Sequence, residues 1–549
     1  MNHSNSLPPI LRQIAQIHSM ERGKLSVIKE SSSGPFYKLQ AREQGKNLTR
    51  YVPREQVPAV QQAIKGYKQF QALTEQYADE VITQTRAAIA AGSKKKALPA
   101  QFLLAQEQEI EQLIARFQAS TPGGVDVQRL EVLVRTAMFK PATQLVGFLL
   151  QTAADQIDAA YQSKPGEQRK GRESVTVDCI FGYFVLERDY YHHLGKGLGH
   201  YPADTALGIE GGKTPALLRL VCLEGADEAS YQKAEEHLRE TGGINVSARQ
   251  IQRTVQHIGA AAQQWQERGA TKPLPESKSV PILYVSADAT GLPMRKEELE
   301  GRKGKQLDGS AKTRSVYLGC VFTQHQRDEK GHPVRDYEST TYVSAMKGIE
   351  QFGPMLRQEA IRRNMAQAGR TVLLMDGALG LENMGQLNFP DATQIVDFWH
   401  GADHAGKVVE ALLGSKEHPL YQQQRSRFVR RLLGNGVENL IKESRQQCTG
   451  KDNAAPVEEQ LKYFVHNVAR MKYRMFRQQG LFVGSGVVEA GCKTVIGSRC
   501  KQSGMFWGKP GAEHVLALRC IGASRRLDAF WKDRLNTFAA RNDCLAIAA

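Results

Sequence analysis

The sequence predicts an α/β protein in which a mixed five-stranded sheet follows a series of mostly α-helical regions. Two observations predict this class. Apolar residues before residue 161 recur at three- and four-residue spacing, which is the period of an amphipathic helix. Between residues 281 and 400, short apolar runs alternate with turn-forming residues, which is typical of buried strands. Because strands and a long helix alternate in this second part, we expect one sheet with both antiparallel and parallel neighbours.

The N-terminal half divides into four predicted regions. Residues 1–53 contain GPFYKLQAREQGKNLTRYVP, in which two runs with aromatic and basic residues flank a Gln-Gly-Lys-Asn turn, so we expect a basic hairpin. Residues 54–161 are helical in pattern, broken by a linker at Lys94–Lys96, and suit DNA binding or dimerisation. The polar stretch 162–174 predicts a domain boundary, and the region 162–212 is expected to be a small module of strands and loops.

Residues 213–272 predict a helix-turn-helix unit that binds DNA. Two glycines at 242 and 243 form the turn, and Ser247 is placed to cap the next helix. That helix carries Arg249, Gln250 and Arg253 in its early turns, where polar and basic side chains can reach base edges in the major groove. A three-helix packing module without a DNA contact would have the same pattern.

The predicted sheet domain begins at residue 273 and its first part extends to residue 404. Its five strands are the run PILYVSADATG and the segments Ser315–Thr323, Ser339–Met346, Thr371–Gly377 and Thr393–His400. A helix at about 348–368 separates the third and fourth strands. This order, β-β-β-α-β-α-β, is the ribonuclease H-like arrangement.

Acidic residues end two strands that should lie side by side in this arrangement. Asp288 ends the first strand and Asp376 ends the fourth, while Asp397 ends the fifth and competes with Asp376 for the same role. In enzymes of this fold a third carboxylate comes from a late helix, and Glu489 in GSGVVEAGCKTVIGSRCKQSGMFW is the candidate. Two hard cations held by carboxylates stabilise the attacking and leaving oxygens of a phosphodiester, so Mg²⁺ is the expected cofactor and Mn²⁺ the expected substitute.

The segment around Glu489 also carries candidate phosphate contacts. Ser485 is placed as the N-cap of a helix on which Glu489, Lys493 and Ile496 share one face. Beyond this face, Arg499 and Lys501 are predicted to contact DNA.

Composition favours a nucleic-acid partner and excludes a membrane span. With 73 Lys and Arg against 57 Asp and Glu, the formal charge is +16 and the pI about 9.4, which attracts polyanions. No stretch resembles a signal peptide or approaches the roughly 18 apolar residues of a membrane span, so we expect a cytoplasmic, nucleoid-associated protein. The eight cysteines form no C-x-x-C pair, and His192, His193 and His200 lack the Cys partners of a zinc site, so zinc is not expected.

At the residues of the predicted site, the chain resembles the ISKra-type insertion-sequence transposases, a bacterial DDE group related to Mutator-like enzymes. The matching pieces are VSADATGLPMR, LLMDGALGLENM, IVDFWHGADH and GSGVVEAGCKTVIGSRCKQSGMFWGKPGAEHVLALR. The resemblance implies that Asp288, Asp376 and Glu489 bind the metal and that Asp397 and His400 support the site. Lys493, four residues after Glu489, would also support the site. One departure is that related proteins often carry a Cys-rich zinc knuckle after the Tyr190–Tyr191 pair, where this chain has none.

The resemblance also implies the remaining organisation and the partners. It places a helical insertion at 405–480, the second part of the catalytic core at 481–535 and a tail at 536–549. The implied activity is cleavage and joining of double-stranded DNA at terminal inverted repeats and target sites, by at least a homodimer. A nuclease on the same fold, or a DNA-binding protein whose carboxylates are vestigial, remain alternatives.

Overall fold

The computed structural model divides into two compact units, residues 1–123 and residues 124–549. The structure describes the following residues: 9–31, 34–43, 46–92, 107–108, 110–115, 117, 126–193, 199–268, 279–304 and 311–541. The predicted linker at Lys94–Lys96 and the predicted boundary at residue 273 lie outside them.

The first unit contains a small antiparallel sheet followed by a long helix. Its elements are α1 (Pro9–Ala15), β1 (Lys24–Lys29), β2 (Phe36–Glu43), β3 (Lys46–Val52) and α2 (Val57–Gly92). The predicted hairpin is present as β2 and β3, with Tyr37 opposite Val52 and Glu43 opposite Lys46. Strand β1 pairs with β2 and was not predicted, because its side chains are mostly exposed and carry no strong apolar alternation.

The second unit begins with a helix packed on a long hairpin. Its elements are α3 (Val127–Ala160), β4 (Glu167–Cys179), β5 (Gly182–His193), β6 (Gly199–His200) and α4 (Pro202–Leu207). The prediction of a domain boundary at 162–174 is wrong, because most of that stretch forms the first half of β4. A charged side chain of this stretch pairs across the hairpin: Arg169 donates two hydrogen bonds to Asp189, at 2.5 and 2.8 Å.

Three helices follow: α5 (Pro215–Asp227), α6 (Tyr231–Gly242) and α7 (Ala248–Glu267). Gly243 ends α6 with φ 65°, a conformation that glycine adopts without strain. Ser247 begins α7 with a capping box in which its hydroxyl and the Gln250 side chain each accept a backbone N–H. The predicted succession of helices and turn is confirmed, and α7 buries Ile251 and Val255 against α5 at Gly225, where a Cβ would lie 2.6 Å from both side chains.

A mixed five-stranded sheet forms the centre of the second unit. Its strands are β7 (Ile282–Pro293), β8 (Thr313–Gln324), β11 (Thr341–Ala345), β12 (Arg370–Met375) and β13 (Thr393–Val396), and a short ribbon of β9 (Gln326–Arg327) and β10 (Pro333–Val334) lies between β8 and β11 in the chain. The spatial order is β11-β8-β7-β12-β13. The β7–β8 and β8–β11 pairs are antiparallel, whereas β12 is parallel to both β7 and β13.

Both faces of the sheet are covered, which explains its continuous apolar runs. On one face, Leu283 and Val285 pack with α8 (Ile349–Arg362) and α9 (Leu379–Asn388). On the other face, Tyr284 and Phe322 belong to a larger core shared with α5, α7 and the C-terminal helices. The predicted fifth strand is shorter than expected, because Asp397 caps the helix that begins at Phe398.

The segment between β13 and Glu489 is helical, as predicted, and begins at residue 398 where the prediction had 405. Its helices are α10 (Phe398–Leu413), α11 (Tyr421–Leu433), α12 (Val437–Cys448), α13 (Ala454–Asn467) and α14 (Tyr473–Gln478). The chain then forms α15 (Gly486–Gly491), a π-helical turn (Cys492–Gly497), α16 (Ser498–Cys500), α17 (Lys509–Ala523) and α18 (Leu527–Arg541). The predicted tail therefore starts within α18, and residues 542–549 are not described.

Among the helices that the structure describes, none has both the length and the apolar character that crossing a bilayer requires. Seven of the cysteines lie in the described part of the chain, and all seven are buried free thiols.

Candidate active site

Three aspartates lie on or directly after three neighbouring parallel strands. Asp376 and Asp397 directly follow β12 and β13, whereas Asp288 lies inside β7 and not at its end as predicted, because β7 stays paired with β8 as far as Pro293. Leu374 of β12 pairs with Ser286 of β7 in parallel. Asp376 and Asp288, each two residues further along the chain, are therefore at the same level of the sheet. Met375 of β12 pairs with Val396 of β13, and the backbone N–H of Asp397 donates to the Met375 carbonyl at 2.7 Å. Asp288, Asp376 and Asp397 therefore lie at about the same level across the sheet, in that order, with Asp376 in the middle.

Asp288 is half-buried on β7 and contacts the segment that follows Glu489. The Cys492 thiol donates a hydrogen bond to the Asp288 carboxylate, and burial followed by this negative charge raises the pKa of Cys492. The thiol thus stays protonated beside the acid. Two residues further along β7, the Thr290 hydroxyl accepts a hydrogen bond from the exposed Lys501 ammonium.

Glu489 is half-buried on α15, a helix that packs on β7 and β8. The buried Ser485 stands at the N-cap position, but its hydroxyl does not bond a backbone N–H as predicted. It donates instead to Glu489 Oε1 at 2.6 Å. The predicted shared face of Glu489, Lys493 and Ile496 also changes, because the π-helical turn rotates the chain so that Lys493 is exposed and Ile496 is fully buried.

Asp397 is fully buried, and both of its carboxylate oxygens accept hydrogen bonds. Oδ1 accepts from the backbone N–H of His400 at 2.7 Å and is 3.0 Å from His400 Nδ1, and Oδ2 accepts from the backbone N–H of Ser485. Burial alone would raise the pKa of Asp397, but the bonds from His400 and Ser485 outweigh it and hold the pKa below its usual value. Asp397 therefore joins the end of β13 to the start of α10 and to the segment that carries Glu489.

His400 and His404 lie one turn apart on α10 and have opposite pKa shifts. The hydrogen bond to Asp397 raises the pKa of His400 to about 9, and the charges of Asp376 and Glu489 act in the same direction. Burial lowers the pKa of His404 to about 4, helped by the charges of Lys407 and His400. At neutral pH, His400 is thus an imidazolium among the acids, while His404 is neutral.

We expect the ion pair of His400 to make stability depend on pH on the alkaline side. The folded pKa of about 9 lies above the ordinary value of 6.5, so the stabilisation is complete below pH 6.5 and disappears as pH rises through about 9. The thermal midpoints of the wild type and His400→Gln, measured in EDTA, should differ most near pH 6 and converge near pH 10. A difference that is constant over this range would contradict the ion pair.

A cleft of about 730 Å³ opens beside Asp376, between the sheet edge and the helical insertion. Tyr463 of α13 forms part of its wall, and its hydroxyl donates to the Asp376 carbonyl at 2.8 Å. The Tyr463 ring stacks on His404 with 3.7 Å between ring centroids. Gly377 fits here with φ 82°, and a Cβ would lie 2.9 Å from the Tyr463 hydroxyl, so the turn after Asp376 favours glycine. The cleft is also lined by His400, Arg445, Lys462 and His466, and by Glu458, which accepts two hydrogen bonds from Arg445.

Two sets of groups at this edge could hold a divalent cation. Potential ligand atoms of Asp397, His400 and Glu489 lie within 4.8 Å of one another. Asp397 accepts hydrogen bonds from His400 and from the Ser485 backbone, so a cation held by this set would compete with these bonds. The half-buried carboxylates of Asp288, Asp376 and Glu489 offer only hard oxygen ligands, which suit Mg²⁺ and Mn²⁺, but their ligand atoms do not all lie within 4.8 Å of one another in this structure.

The predicted DNA-contacting residues have different surroundings. Arg249 and Arg253 are exposed on α7, as the prediction requires. Gln250 is exposed too, but its side-chain carbonyl accepts from the Ser247 backbone at 3.0 Å, which leaves only its amide NH₂ group outside the capping box. Lys493 and Lys501 are exposed near Glu489 and Asp288 respectively.

Arg499 does not have the position that a phosphate contact requires. Its side chain is 1% exposed, and its guanidinium donates to the carbonyls of Gly225 at 3.4 Å and Ala229 at 3.3 Å. Its charge lies over the rings of Tyr231 and Trp507, at 4.7 and 5.2 Å from their centroids. The predicted DNA contact is therefore corrected to a structural role, in which Arg499 fastens the three-helix unit to the segment after Glu489.

We expect Arg499→Gln to affect stability and leave the salt dependence of DNA binding unchanged. A glutamine cannot reproduce the stacked, forked contacts of the guanidinium, so the thermal midpoint should fall by several degrees. The salt dependence of binding to a random-sequence duplex should stay the same, whereas Lys501→Gln should reduce the slope of log K against log salt by about 0.9. An equal reduction of this slope in both variants would restore Arg499 as a phosphate contact.

The roles of three side chains in the site were missed in the sequence, including that of Ser485, which was predicted only as an N-cap. Ser485 lies four residues before Glu489, a spacing that could have suggested a bond between the two side chains. Cys492 and Tyr463 left no signal, because their contacts depend on the π-helical turn and on the fold of the insertion.

Comparison with known proteins gives a limited result. No curated protein matches the chain. The model of an uncharacterised protein family, UPF0236, matches residues 121–306, a range that contains the three-helix unit and Asp288 but neither Asp376 nor Glu489.

Proposed function

We propose that the chain is a DNA transposase of a bacterial insertion sequence, with a ribonuclease H-like catalytic core. One observation carries the proposal: the sheet order β11-β8-β7-β12-β13 brings Asp288 and Asp376 to the same level on adjacent parallel strands, and the helix that carries Glu489 packs on β7 and β8. That strand order and direction are what a ribonuclease H-like core requires. The formal charge of +16 supports a polyanionic substrate.

Asp288, Asp376 and Glu489 would hold Mg²⁺, which Mn²⁺ could replace. When bound, such ions stabilise the attacking and leaving oxygens of a phosphodiester displacement. Asp397 and Ser485 position Glu489, since Asp397 fixes the Ser485 backbone and the Ser485 hydroxyl bonds the Glu489 carboxylate. The His400 imidazolium offsets the negative charge of the acids.

Exposed cations guide the DNA toward this edge. Lys493 and Lys501 would contact phosphates next to the reacting strand, while Arg249 and Arg253 on α7 would contact the terminal inverted repeats. Water would attack first to release a 3′-hydroxyl, and that hydroxyl would then attack target DNA. At least two protomers are expected, because two element ends must be joined together.

The deciding experiment uses the DNA that flanks the gene. Purified full-length protein is incubated with a plasmid that carries these flanks and with a target plasmid, with Mg²⁺ or with EDTA. We expect Mg²⁺-dependent cuts at matched inverted ends and joined products. Cuts without joining would favour a nuclease, and salt-sensitive binding of the ends without any cut would favour a DNA-binding protein with vestigial carboxylates.

A further inference from the structure

A pocket of about 380 Å³ lies between the three-helix unit and the start of α17, apart from the acidic residues. Its walls come from the first turn of α6, the exposed face of α7, the end of β7 and the loop before α17. The side chains that matter for its chemistry are Tyr231, Gln252, Gln256, Arg295, Phe506 and Trp507.

The aromatic walls of this pocket are held in place from behind. The Arg499 guanidinium packs over both Tyr231 and Trp507, as described above. The Trp507 indole N–H donates to the Cys500 carbonyl at 3.0 Å, and the Trp507 backbone pairs with β7 through the Pro293 carbonyl at 3.1 Å. Because these contacts hold the pocket in shape before a ligand binds, less conformational entropy is lost on binding.

The chemistry of the pocket fits a planar base attached to a phosphate. Phe506 is 53% exposed at the mouth, which is unusual for a phenylalanine and leaves its ring free to stack. Gln252 and Gln256 each offer an amide donor and acceptor to a base edge, and the exposed Arg295 offers a cation to a phosphate. A volume of about 380 Å³ lies near the lower end of ligand pockets, about 300–1,000 Å³, so a duplex is too large for it.

We propose that this pocket binds one unstacked nucleotide of a DNA strand, with the base against Phe506 and Trp507 and the phosphate near Arg295. The proposal rests on DNA being the substrate, as proposed above. Gln252 and Gln256 lie on the same helix as Arg249 and Arg253, so DNA along α7 would pass the mouth. Asp288 and Pro293 are five positions apart on β7, about 17 Å, so the pocket is distinct from the site of the acidic residues.

Gly511 on α17 allows the pocket to be filled by one substitution. A Cβ at this position would lie 3.6 Å from Gln256 Nε2 and 4.0 Å from Trp507 Cε3, which is ordinary contact without a clash. The remaining carbons of Gly511→Leu would then occupy the space of the base. Phe506→Ala removes the exposed ring, and Tyr337→Ala, at a side chain that is 87% exposed and does not line the pocket, is the matched control.

The test compares full-length protein binding to two single strands in EDTA: twelve thymidylates, and twelve abasic tetrahydrofuran residues with the same phosphates. The wild type should prefer the thymidylate strand by about 5- to 150-fold for one stacked base. We expect Gly511→Leu and Phe506→Ala to lose most of this preference, and Tyr337→Ala to keep it. A thymidylate strand with 5-iodouracil at its centre should crosslink to the peptide that contains Phe506 and Trp507.

Two outcomes would overturn the pocket: an unchanged preference in Gly511→Leu protein that melts like the wild type, or a crosslink that maps outside this peptide. Neither measurement involves metal or element ends. If the wild type shows both the thymidylate preference and the crosslink but never cuts DNA with Mg²⁺, the transposase proposal fails and the proposed nucleotide pocket stands. If it cuts DNA but fails here, only the pocket is lost.

Discussion

Asp288→Asn, Asp376→Asn and Glu489→Gln should each reduce Mg²⁺-dependent DNA cleavage by roughly a thousandfold or more. The reason is that each substitution removes one charged oxygen ligand from a site where bound cations contribute several kcal/mol to the transition state. Binding of the element ends should persist, because these three side chains lie at the sheet edge while Arg249 and Arg253 lie on α7. The measurement pairs single-turnover cleavage of labelled ends with a gel-shift assay on the same DNA in EDTA.

Asp403→Asn is the matched control for these substitutions. Asp403 is on α10, three residues after His400, but its side chain is 74% exposed and pairs with Arg425 at 3.5 Å. Loss of this exposed pair should change cleavage by less than about threefold, since such pairs contribute about 1 kcal/mol or less. Near-native cleavage by any one of the three variants would remove that residue from the proposed metal site.

The sequence allowed the central sheet to be predicted because its strands are buried on both faces. Runs such as ILYVSA and TVLLM have no polar alternation, which indicates strands covered by helices on each side. The position of an acidic residue directly after such a run then places it at the carboxyl edge. This rule holds for Asp376 and Asp397, which directly follow β12 and β13, but not for Asp288, because β7 continues to Pro293 through its pairing with β8.

Other features could not be predicted, because they depend on contacts between distant segments. The first half of β4 is polar, and only its pairing with β5 shows that it is a strand. Arg499 had the residue type of a phosphate contact, yet Tyr231 and the Gly225 carbonyl, more than two hundred residues away, bury it. The sequence likewise contains no signal for the π-helical turn after α15. The four-residue spacing of Glu489 and Lys493 predicted an ordinary α-helix there.

In the sequence Asp376 was assigned to the metal site and Asp397 was its competitor, and their surroundings predict different consequences of substitution. Asp397→Asn should lower the free energy of unfolding of the second unit by about 2–4 kcal/mol. An asparagine there can accept the His400 bonds through its carbonyl, but its NH₂ group would then face the Ser485 N–H, which leaves a buried donor without an acceptor. Asp376 is half-buried and accepts from the Ala378 N–H at 2.8 Å, a bond that an asparagine can keep, so Asp376→Asn should cost less than about 1 kcal/mol.

Urea unfolding followed by tryptophan fluorescence measures these stabilities, and calorimetric titration with Mn²⁺ separates structural from metal-binding roles. Asp376→Asn should bind Mn²⁺ at least tenfold more weakly than the wild type while unfolding at the same urea concentration. Asp397→Asn should unfold at a lower urea concentration, and its loss of Mn²⁺ affinity should be smaller, because Asp397 holds Glu489 in place through Ser485. If Asp397→Asn were as stable as the wild type and failed to bind Mn²⁺, while Asp376→Asn bound it normally, the two residues would exchange roles: Asp397 would be the ligand, and the hydrogen bonds to its carboxylate would have to yield when the metal binds.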